Sequence, residues 1–321
     1  MKRKLLIIEL NEFNIDLLKE ASRKLNLKNI QKILMMSKHS TFCDENEEHH
    51  GLDPWVQWVS IHTGVSFNDH KIKHLGEVNS LSFPQIWESL SNYKISSGIW
   101  GALNASKGKG NTCSFFFPDP WTYSEKAVPK KLNNFLALPR YFSKNYLSLF
   151  SIKFFNSGLR FLIYLLSSDI LYLLRKDLFY IFQSIFTQSL SSNFLFSIFD
   201  LVSCRLFLKY QKISKPDFLI FFMNSLAHAQ HKYWKKSNFG KELEFTLRNI
   251  DRILGILFES ISKNYALLIL NGLTQDNVEG NGYCIYRQIN PSLFLKLLGI
   301  NFKKIEQCMT NDCFIFFNNK N

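Results

Sequence analysis

The sequence lacks the residue patterns that mark several functional classes. Its six cysteines form no C-x-x-C pair and lie far apart, at Cys43, Cys113, Cys204, Cys284, Cys308 and Cys313. This spacing argues against zinc–cysteine sites and against a disulfide framework. A dense basic tract with interleaved aromatic residues is also missing, so nucleic acid is not an expected partner. The net charge of +13 nevertheless suits phosphate-rich partners or an anionic membrane surface.

A secretion signal is not expected either. The first residues, MKRKLLIIELNEF, begin with basic side chains and an apolar run, but the run is short and ends at Glu9. We therefore interpret residues 4–10 as a first β-strand and expect a cytoplasmic protein.

The composition is that of a globular protein, with 46% hydrophobic and 20% charged residues in a chain of 321. Continuous apolar runs at 4–10, 217–224 and 265–272 are typical of strands buried on both faces. Helical patterns alternate with them. This order predicts an α/β fold with a mostly parallel central sheet and helices on both faces. The stretch FFFPDPWTY (115–123) is predicted to be a loop, because Pro118 and Pro120 break a strand ladder.

Residues 126–210 have a different character. They are rich in Phe, Leu and Tyr, almost without Gly and Pro, and helical in pattern. The uncharged stretch 178–199 is long enough to cross a bilayer, but its Gln, Asn, Thr and Ser residues make it too polar for a span. We predict an inserted helical cap at 126–210, between the first half of an α/β domain at 1–125 and its second half at 211–321. The alternative is an amphipathic cap that makes peripheral contact with a membrane.

Polar residues follow each predicted strand, where ligands bind in parallel sheets. Glu9 and Asn11 end the first strand, and Asn224 and Asn271 end two later ones. His228 and His231 follow Asn224 at spacings of four and three, which places all three on one helical face. A buried histidine that only bonds a backbone carbonyl would show the same pattern.

The order of these pieces resembles the alkaline phosphatase superfamily, in its type I phosphodiesterase and nucleotide pyrophosphatase branch. In LLIIEL, Glu9 matches a strand that ends in a metal-binding Asp. SIHTGVSFNDHKI matches the S-I-x-T-G segment that follows the nucleophile helix. Asn224 with His228, and Asn271 in NGL, match two later strands that end in Asp-x-x-x-His and Asp-His-Gly. The resemblance implies an alkaline-phosphatase-like sheet.

The departures from the family pattern concern its chemistry. The family holds two metal ions and attacks phosphorus with Thr or Ser, but Pro54 stands near the nucleophile position. Asn replaces Asp at 224 and 271, and Gly272 replaces His; an amide is a weaker cation ligand than a carboxylate. The resemblance thus implies a divergent subgroup with altered metal ligands, found in surface-polysaccharide settings.

The resemblance and the strand ends together define a candidate site. The residues expected to be catalytic are Glu9, Asp53, Gln57 and His231. Those expected to contact substrate are Asn11, Trp55, Asn271 and Gln275. At most one divalent cation (Zn, Mn or Mg) is expected, held weakly if at all by Glu9, Asn224 and His228. Asp53 before Pro54 has a structural alternative as a helix N-cap.

Two functions follow from these expectations. One is a phosphoesterase-like hydrolase or a phosphotransferase that acts on a phosphorylated or sugar-linked small molecule. The alternative is an inactive pseudoenzyme that binds a phosphorylated or glycosylated ligand, or a protein partner.

Overall fold

A computed structural model describes most of the chain. The described residues are 4–42, 52–145, 152–167, 169–188, 191–235, 239–261, 263–277, 286, 288–307 and 313–318. Cys43, Cys284 and Cys308 lie outside them.

The fold is α/β, as the sequence predicts. A five-stranded sheet has the order β3-β2-β4-β1-β5, and its neighbouring strands are all parallel. Its strands are β1 (Lys4–Leu10), β2 (Ser97–Trp100), β3 (Cys113–Phe117), β4 (Phe218–Met223) and β5 (Tyr265–Leu270). A separate antiparallel pair consists of β6 (Lys304–Gln307) and β7 (Cys313–Phe316).

Helices surround the sheet. The first five are α1 (Ile15–Lys24), α2 (Lys28–Leu34), α3 (Pro54–Thr63), α4 (Phe67–His70) and α5 (Ile86–Ser91). The segment predicted to be an insertion, referred to below as the insertion, contains or begins α6 (Leu132–Lys144), α7 (Ile152–Ser167), α8 (Ile170–Leu174), α9 (Leu178–Gln188) and α10 (Ser192–Ser214). The last three are α11 (Ser225–Tyr233), α12 (Gly240–Ser260) and α13 (Pro291–Leu297). Among the described helices, none is both long and apolar enough to cross a membrane.

Alternate residues of β1 pack on opposite faces of the sheet, because successive side chains of a strand point to opposite sides. Leu6, Ile8 and Leu10 join a large core with side chains of α1, α2, α10 and α12. Ile7 joins a second core around Trp87 of α5 on the other face. Helices therefore cover both faces, as predicted.

The three strands that carry the predicted site are neighbours, with β1 between β4 and β5. Beyond the strands, the backbone N–H of Asn11 donates to the carbonyl of Met223 at 3.1 Å, and that of Glu12 donates to the carbonyl of Asn271 at 2.9 Å. These bonds hold the three strand ends side by side. The predicted adjacency is confirmed.

The first three residues of the loop predicted at 115–123 belong to a strand. Phe115, Phe116 and Phe117 complete β3, and all three are buried. The prediction was wrong because Pro118 lies just after the last paired residue, where it interrupts no ladder bond.

Helix α10 packs on the sheet itself. The Phe207 ring lies 4.9 Å from that of Phe221 on β4 and 5.8 Å from that of Phe115 on β3, measured between centroids. The predicted boundary at residue 210 falls inside this helix.

A buried carboxylate fastens the insertion to the rest of the fold. Asp177, between α8 and α9, is fully buried. Its Oδ2 accepts from Nε of Arg205 on α10 at 2.7 Å, and its Oδ1 accepts from Nη2 of Arg252 on α12 at 2.8 Å. Three elements thus share one charge cluster.

Candidate functional site

The turn after β1 begins the site. Asn11 is buried, and its side-chain oxygen accepts from Nε1 of Trp58 at 2.7 Å. Its Nδ2 donates to Oδ1 of Asn224 at 2.8 Å and to Oε1 of Glu12 at 3.1 Å. Glu12 has a positive φ of 58°, which is uncommon for a residue other than Gly, and this turns the chain sharply as it leaves the strand.

Glu12 and His231 form a polar pair between the interior and the surface of the site. Nε2 of His231 lies 2.8 Å from Oε2 of Glu12. The carboxylate is buried, with 7% of its side chain exposed, whereas the histidine is 61% exposed. Nδ1 of His231 is 2.7 Å from Nε2 of Gln275.

Backbone groups fix the orientation of this pair through Gln230. The N–H of Asn14 donates to Oε1 of Gln230 at 3.3 Å, and Nε2 of Gln230 donates to the Glu12 carbonyl at 2.8 Å. Nε2 of Gln230 also donates to Oε1 of Gln275 at 2.8 Å, so the Gln275 amide presents its NH2 group to His231. Nδ1 of His231 therefore accepts, and Nε2 carries the proton that Glu12 holds.

The two histidines of α11 have opposite pKa shifts. The hydrogen bond to Glu12 raises the pKa of His231, in opposition to its partial burial. Burial, and secondarily the charge of His231, lowers the pKa of His228 to about 4. His228 stacks on Phe196 of α10, with ring centroids 4.0 Å apart, and its Nε2 lies 3.3 Å from Nδ2 of Asn224. At neutral pH His228 is therefore uncharged and His231 is the histidine that exchanges a proton.

Protonation of His231 conflicts with its neighbour Gln275. A second proton on Nδ1 would face the Gln275 NH2 group, so donor would meet donor. The amide of Gln275 has to turn away when the imidazole takes up that proton. Whether Nδ1 can hold a proton thus depends on where the Gln275 amide points.

A carboxylate from the insertion caps the helix that carries both histidines. Oδ2 of Asp200, on α10, accepts from the backbone N–H of Ser225 at 3.0 Å. Burial raises the pKa of Asp200 to about 6, although bonds from the start of α11 oppose the shift. An acceptor at this position satisfies one of the free N–H groups at a helix start.

Glu9 faces a different partner from the rest of the predicted site. Its Oε1 lies 2.7 Å from Nε2 of His62 on α3, and both residues are buried. The His62 ring stacks on Trp58 at 5.8 Å between centroids and meets Trp87 edge-on at 5.2 Å. Gly272 closes over Trp58, where a Cβ would lie 2.7 Å from Cε2 of the indole. Glu9 is therefore enclosed by aromatic rings.

The other predicted residues lie around this cluster. Asp53 directly precedes α3, and Gln57 is buried in its first half. Trp55 donates from Nε1 to the carbonyl of Lys73 at 2.8 Å. The Nδ2 of Asn271 donates to the carbonyl of Phe13 at 3.2 Å and to Oγ1 of Thr274 at 3.0 Å. Side-chain hydrogen bonds link Asn11, Asn224, His228, His231 and Gln275 to Glu12 in one network, and Asn271 meets Glu12 through its backbone carbonyl.

A serine–histidine pair lies nearby but is oriented the wrong way for nucleophilic catalysis. Oγ of Ser60 is 3.0 Å from Nε2 of His70. Nδ1 of His70 accepts from the backbone N–H of Ile72 at 3.0 Å, so its proton is on Nε2. In this tautomer His70 donates to Ser60 and cannot take the hydroxyl proton.

The three residues predicted to hold a cation do not fit one. Glu9 bonds His62. The side-chain Oδ1 of Asn224 accepts from Asn11, and the side-chain NH2 group of Asn224 faces Nε2 of His228. Within the described ranges, no group of three or more His, Cys, Asp or Glu is placed to bind a metal ion. We derive no chemical step through a metal.

Sequence reasoning missed four residues: Glu12, Asn14 and Gln230 of the cluster, and His62, the partner of Glu9. Glu12 directly follows Asn11, so the strand-end rule alone could have found it. His62 lies within the SIHTG motif, so the motif could have indicated it. Asn14 and Gln230 give no signal in the sequence, because their role depends on the backbone atoms they meet.

Comparison with known proteins adds no relative: no family model and no curated protein matches this chain. The function therefore has to be inferred from the cluster around Glu12.

Proposed function

We propose that this chain acts on a phosphorylated or sugar-linked small molecule by acid–base chemistry without a metal. His231 is the proton-transferring residue, and Glu12 is the residue that positions it. The observation that supports the proposal is the Glu12–His231 bond, which joins a buried carboxylate to an exposed imidazole at the carboxyl end of the sheet.

His231 suits the role of a general acid. Its raised pKa keeps the imidazole protonated over more of the neutral range. Glu12 holds the Nε2 proton, so the proton on Nδ1 is the one that is donated to the leaving oxygen. A water molecule attacks the phosphorus or the sugar carbon as the P–O or C–O bond breaks; it releases one proton to solvent, and solvent returns a proton to Nδ1. Both substrate classes need this proton, because both expel an oxygen.

A second candidate is a binding protein without turnover. The observation that favours it is the internal pairing of the polar groups: Asn11 with Asn224, and Gln275 with Nδ1 of His231. Pro54 at the expected nucleophile position points the same way. A ligand would then replace the amide of Gln275 without reacting.

Two variants of His231 separate these candidates. His231→Ala removes the ring, whereas His231→Gln keeps an amide donor toward Glu12 and an acceptor toward Gln275 but transfers no proton. The purified chain would be assayed with bis(p-nitrophenyl) phosphate, p-nitrophenyl phosphate and a nucleoside diphosphate sugar, in EDTA and then with added Mg, Mn or Zn.

The enzyme proposal expects turnover that EDTA leaves unchanged. Both variants should lose at least about a hundredfold in kcat/KM, the usual contribution of a general acid. His231→Gln should retain ligand affinity measured by calorimetry. Turnover only with added metal would contradict the metal-free chemistry. Binding without turnover under every condition would select the second candidate.

A further inference from the structure

Two helices of the insertion expose apolar faces to solvent. On α7 the exposed residues are Ile152, Phe155, Leu159, Leu162, Ile163 and Leu166, each between 48% and 89% exposed. Their spacing keeps them on one side of the helix. The opposite side, with Tyr164 and Phe161, packs against Phe135 of α6 in the main core. The outer face of α7 is thus apolar although it does not pack against the core.

Helix α9 repeats this arrangement. Its exposed apolar residues are Leu178, Phe179, Phe182, Ile185 and Phe186. Several of them line an open apolar groove of about 490 Å3 together with Ile181. Monomeric proteins rarely expose apolar patches of more than a few hundred Å2 unless the patch binds something.

The charges around these faces are almost all positive. Residues 126–210 contain eleven Lys and Arg but three Asp, so they supply most of the net charge of the chain. Asp177 and Asp200 are buried, and Asp169 pairs with Lys209. Lys153, Arg160, Arg175 and Lys176 are exposed. On α7, Lys153 and Arg160 form a polar strip beside the apolar face.

We propose that the outer faces of α7 and α9 bind the surface of an anionic lipid bilayer. Helices with Phe and Leu on one side and Lys or Arg beside them lie in the membrane interface, with the apolar side chains among the acyl chains and the cations at the headgroups. A second copy of the chain is a poorer partner, because it would bring the same positive charges to the contact.

The test is co-sedimentation of the full chain with vesicles. One set is phosphatidylcholine alone, and the other contains about one third phosphatidylglycerol, the anionic lipid that supplies the surface potential. The apolar variants are Phe155→Ser with Leu159→Ser, and Phe179→Ser with Phe182→Ser. The charge variant is Lys153→Glu with Lys176→Glu. The matched control is Met35→Ser with Tyr93→Ser, which changes equally exposed apolar residues outside the insertion.

The wild-type chain should bind the anionic vesicles and lose affinity as salt is added. Each double substitution of apolar residues should lower the partition coefficient at least about tenfold, because two large side chains that would enter the lipid are lost. The charge variant should lower it about tenfold on anionic vesicles only. The control should stay within about twofold of wild type. Circular dichroism melting of each variant shows whether the fold is kept.

Three outcomes would overturn the proposal. The first is a wild-type chain that stays in the supernatant with anionic vesicles. The second is a control that loses as much binding as the apolar variants. The third is a wild-type oligomer in size-exclusion chromatography that the Phe155 and Phe179 variants disperse, with no vesicle binding, which would make these faces a protein interface.

Discussion

Oε2 of Glu12 lies 2.8 Å from Nε2 of His231. The two residues lie far apart in the sequence, yet the backbone N–H of Glu12 bonds the Asn271 carbonyl, and Gln230, beside His231, bonds the Glu12 carbonyl. The pair is therefore held by the same backbone contacts that hold the strand ends. A carboxylate so placed controls both the tautomer and the charge of the imidazole.

Glu12→Gln should lower the pKa of His231. The variant keeps a hydrogen-bond acceptor for Nε2 but removes the negative charge, and the bond to that carboxylate is the largest cause of the raised pKa. Titration of the His231 ring by two-dimensional NMR measures the shift. An unchanged titration would show that Glu12 does not control His231.

The same variant gives a matching prediction for activity. If protonated His231 is the acid, kcat falls as pH rises through its pKa. Glu12→Gln should then move that fall to lower pH. Glu20→Gln, the same change at a surface residue of α1 that pairs with Lys24, should leave the profile in place. Identical profiles for wild type and Glu12→Gln would contradict the acid role.

Asp200 should make stability depend on pH. Its folded pKa is raised from 3.8 to about 6, so its contribution is complete below pH 3.8 and is lost as pH rises through about 6. Asp200→Asn keeps an oxygen for the Ser225 N–H and removes the titration. The free energy of unfolding of the variant minus that of wild type should rise by roughly 3 kcal/mol from about pH 3 to about pH 7, at about 1.36 kcal/mol per pKa unit.

Thermal melting across that pH range measures the gain. Asp16→Asn is the control, because Asp16 is exposed on α1 and pairs only with Lys19 in the described contacts. Parallel melting curves for wild type and Asp200→Asn at all pH values would show that Asp200 does not titrate as inferred.

Asp177 should contribute strongly to the stability of the fold, because it joins the segment between α8 and α9 to α10 and α12. Asp177→Asn leaves Arg205 and Arg252 without their shared carboxylate, and breaking a buried pair typically costs about 3–5 kcal/mol. We expect the lower end of that range, because both arginines are partly exposed, at 18% and 35%, and water screens them. Urea unfolding measures the loss.

Asp169→Asn is the matched control for Asp177→Asn. Asp169 pairs with Lys209 but is 58% exposed, so its loss should cost less than about 1 kcal/mol. Equal losses in the two variants would contradict the special role of the buried charge.

The sheet was predictable because each strand is marked by a run of apolar residues that are adjacent in the sequence. The runs at β4 and β5 are apolar throughout, and that of β1 is apolar between Lys4 and Glu9, which is typical of parallel strands. β4 is buried on both faces as this pattern predicts, whereas β5 lies at the sheet edge and is only partly buried. β3 was missed because the prolines that follow it were counted as part of it. Large apolar side chains lie on both faces of α7, Phe161 and Tyr164 inside and Phe155 and Leu159 outside, so hydropathy alone does not say which face meets the core.

The site was only partly predictable because its contacts are long-range. The strand-end rule placed Asn11, Asn224 and the α11 histidines at one edge, where they are found. It also placed Glu9 there, but alternation along β1 points Glu9 toward α3, where His62 and Trp58 enclose it. Nothing in the sequence near Glu9 identifies those partners.

Glu9 should therefore affect stability and not metal affinity. Glu9→Ala leaves Nε2 of His62 without its bond between Trp58 and Trp87, and such a loss should cost about 3 kcal/mol or more. Glu9→Gln keeps an acceptor oxygen and should cost less than half as much. Urea unfolding measures both, with and without added Zn, Mn or Mg. If Glu9 instead held a cation, metal would stabilise wild type and this gain would vanish in Glu9→Gln. We expect the same response to metal in both proteins, because Glu9 belongs to no group of three or more possible metal ligands among the described residues.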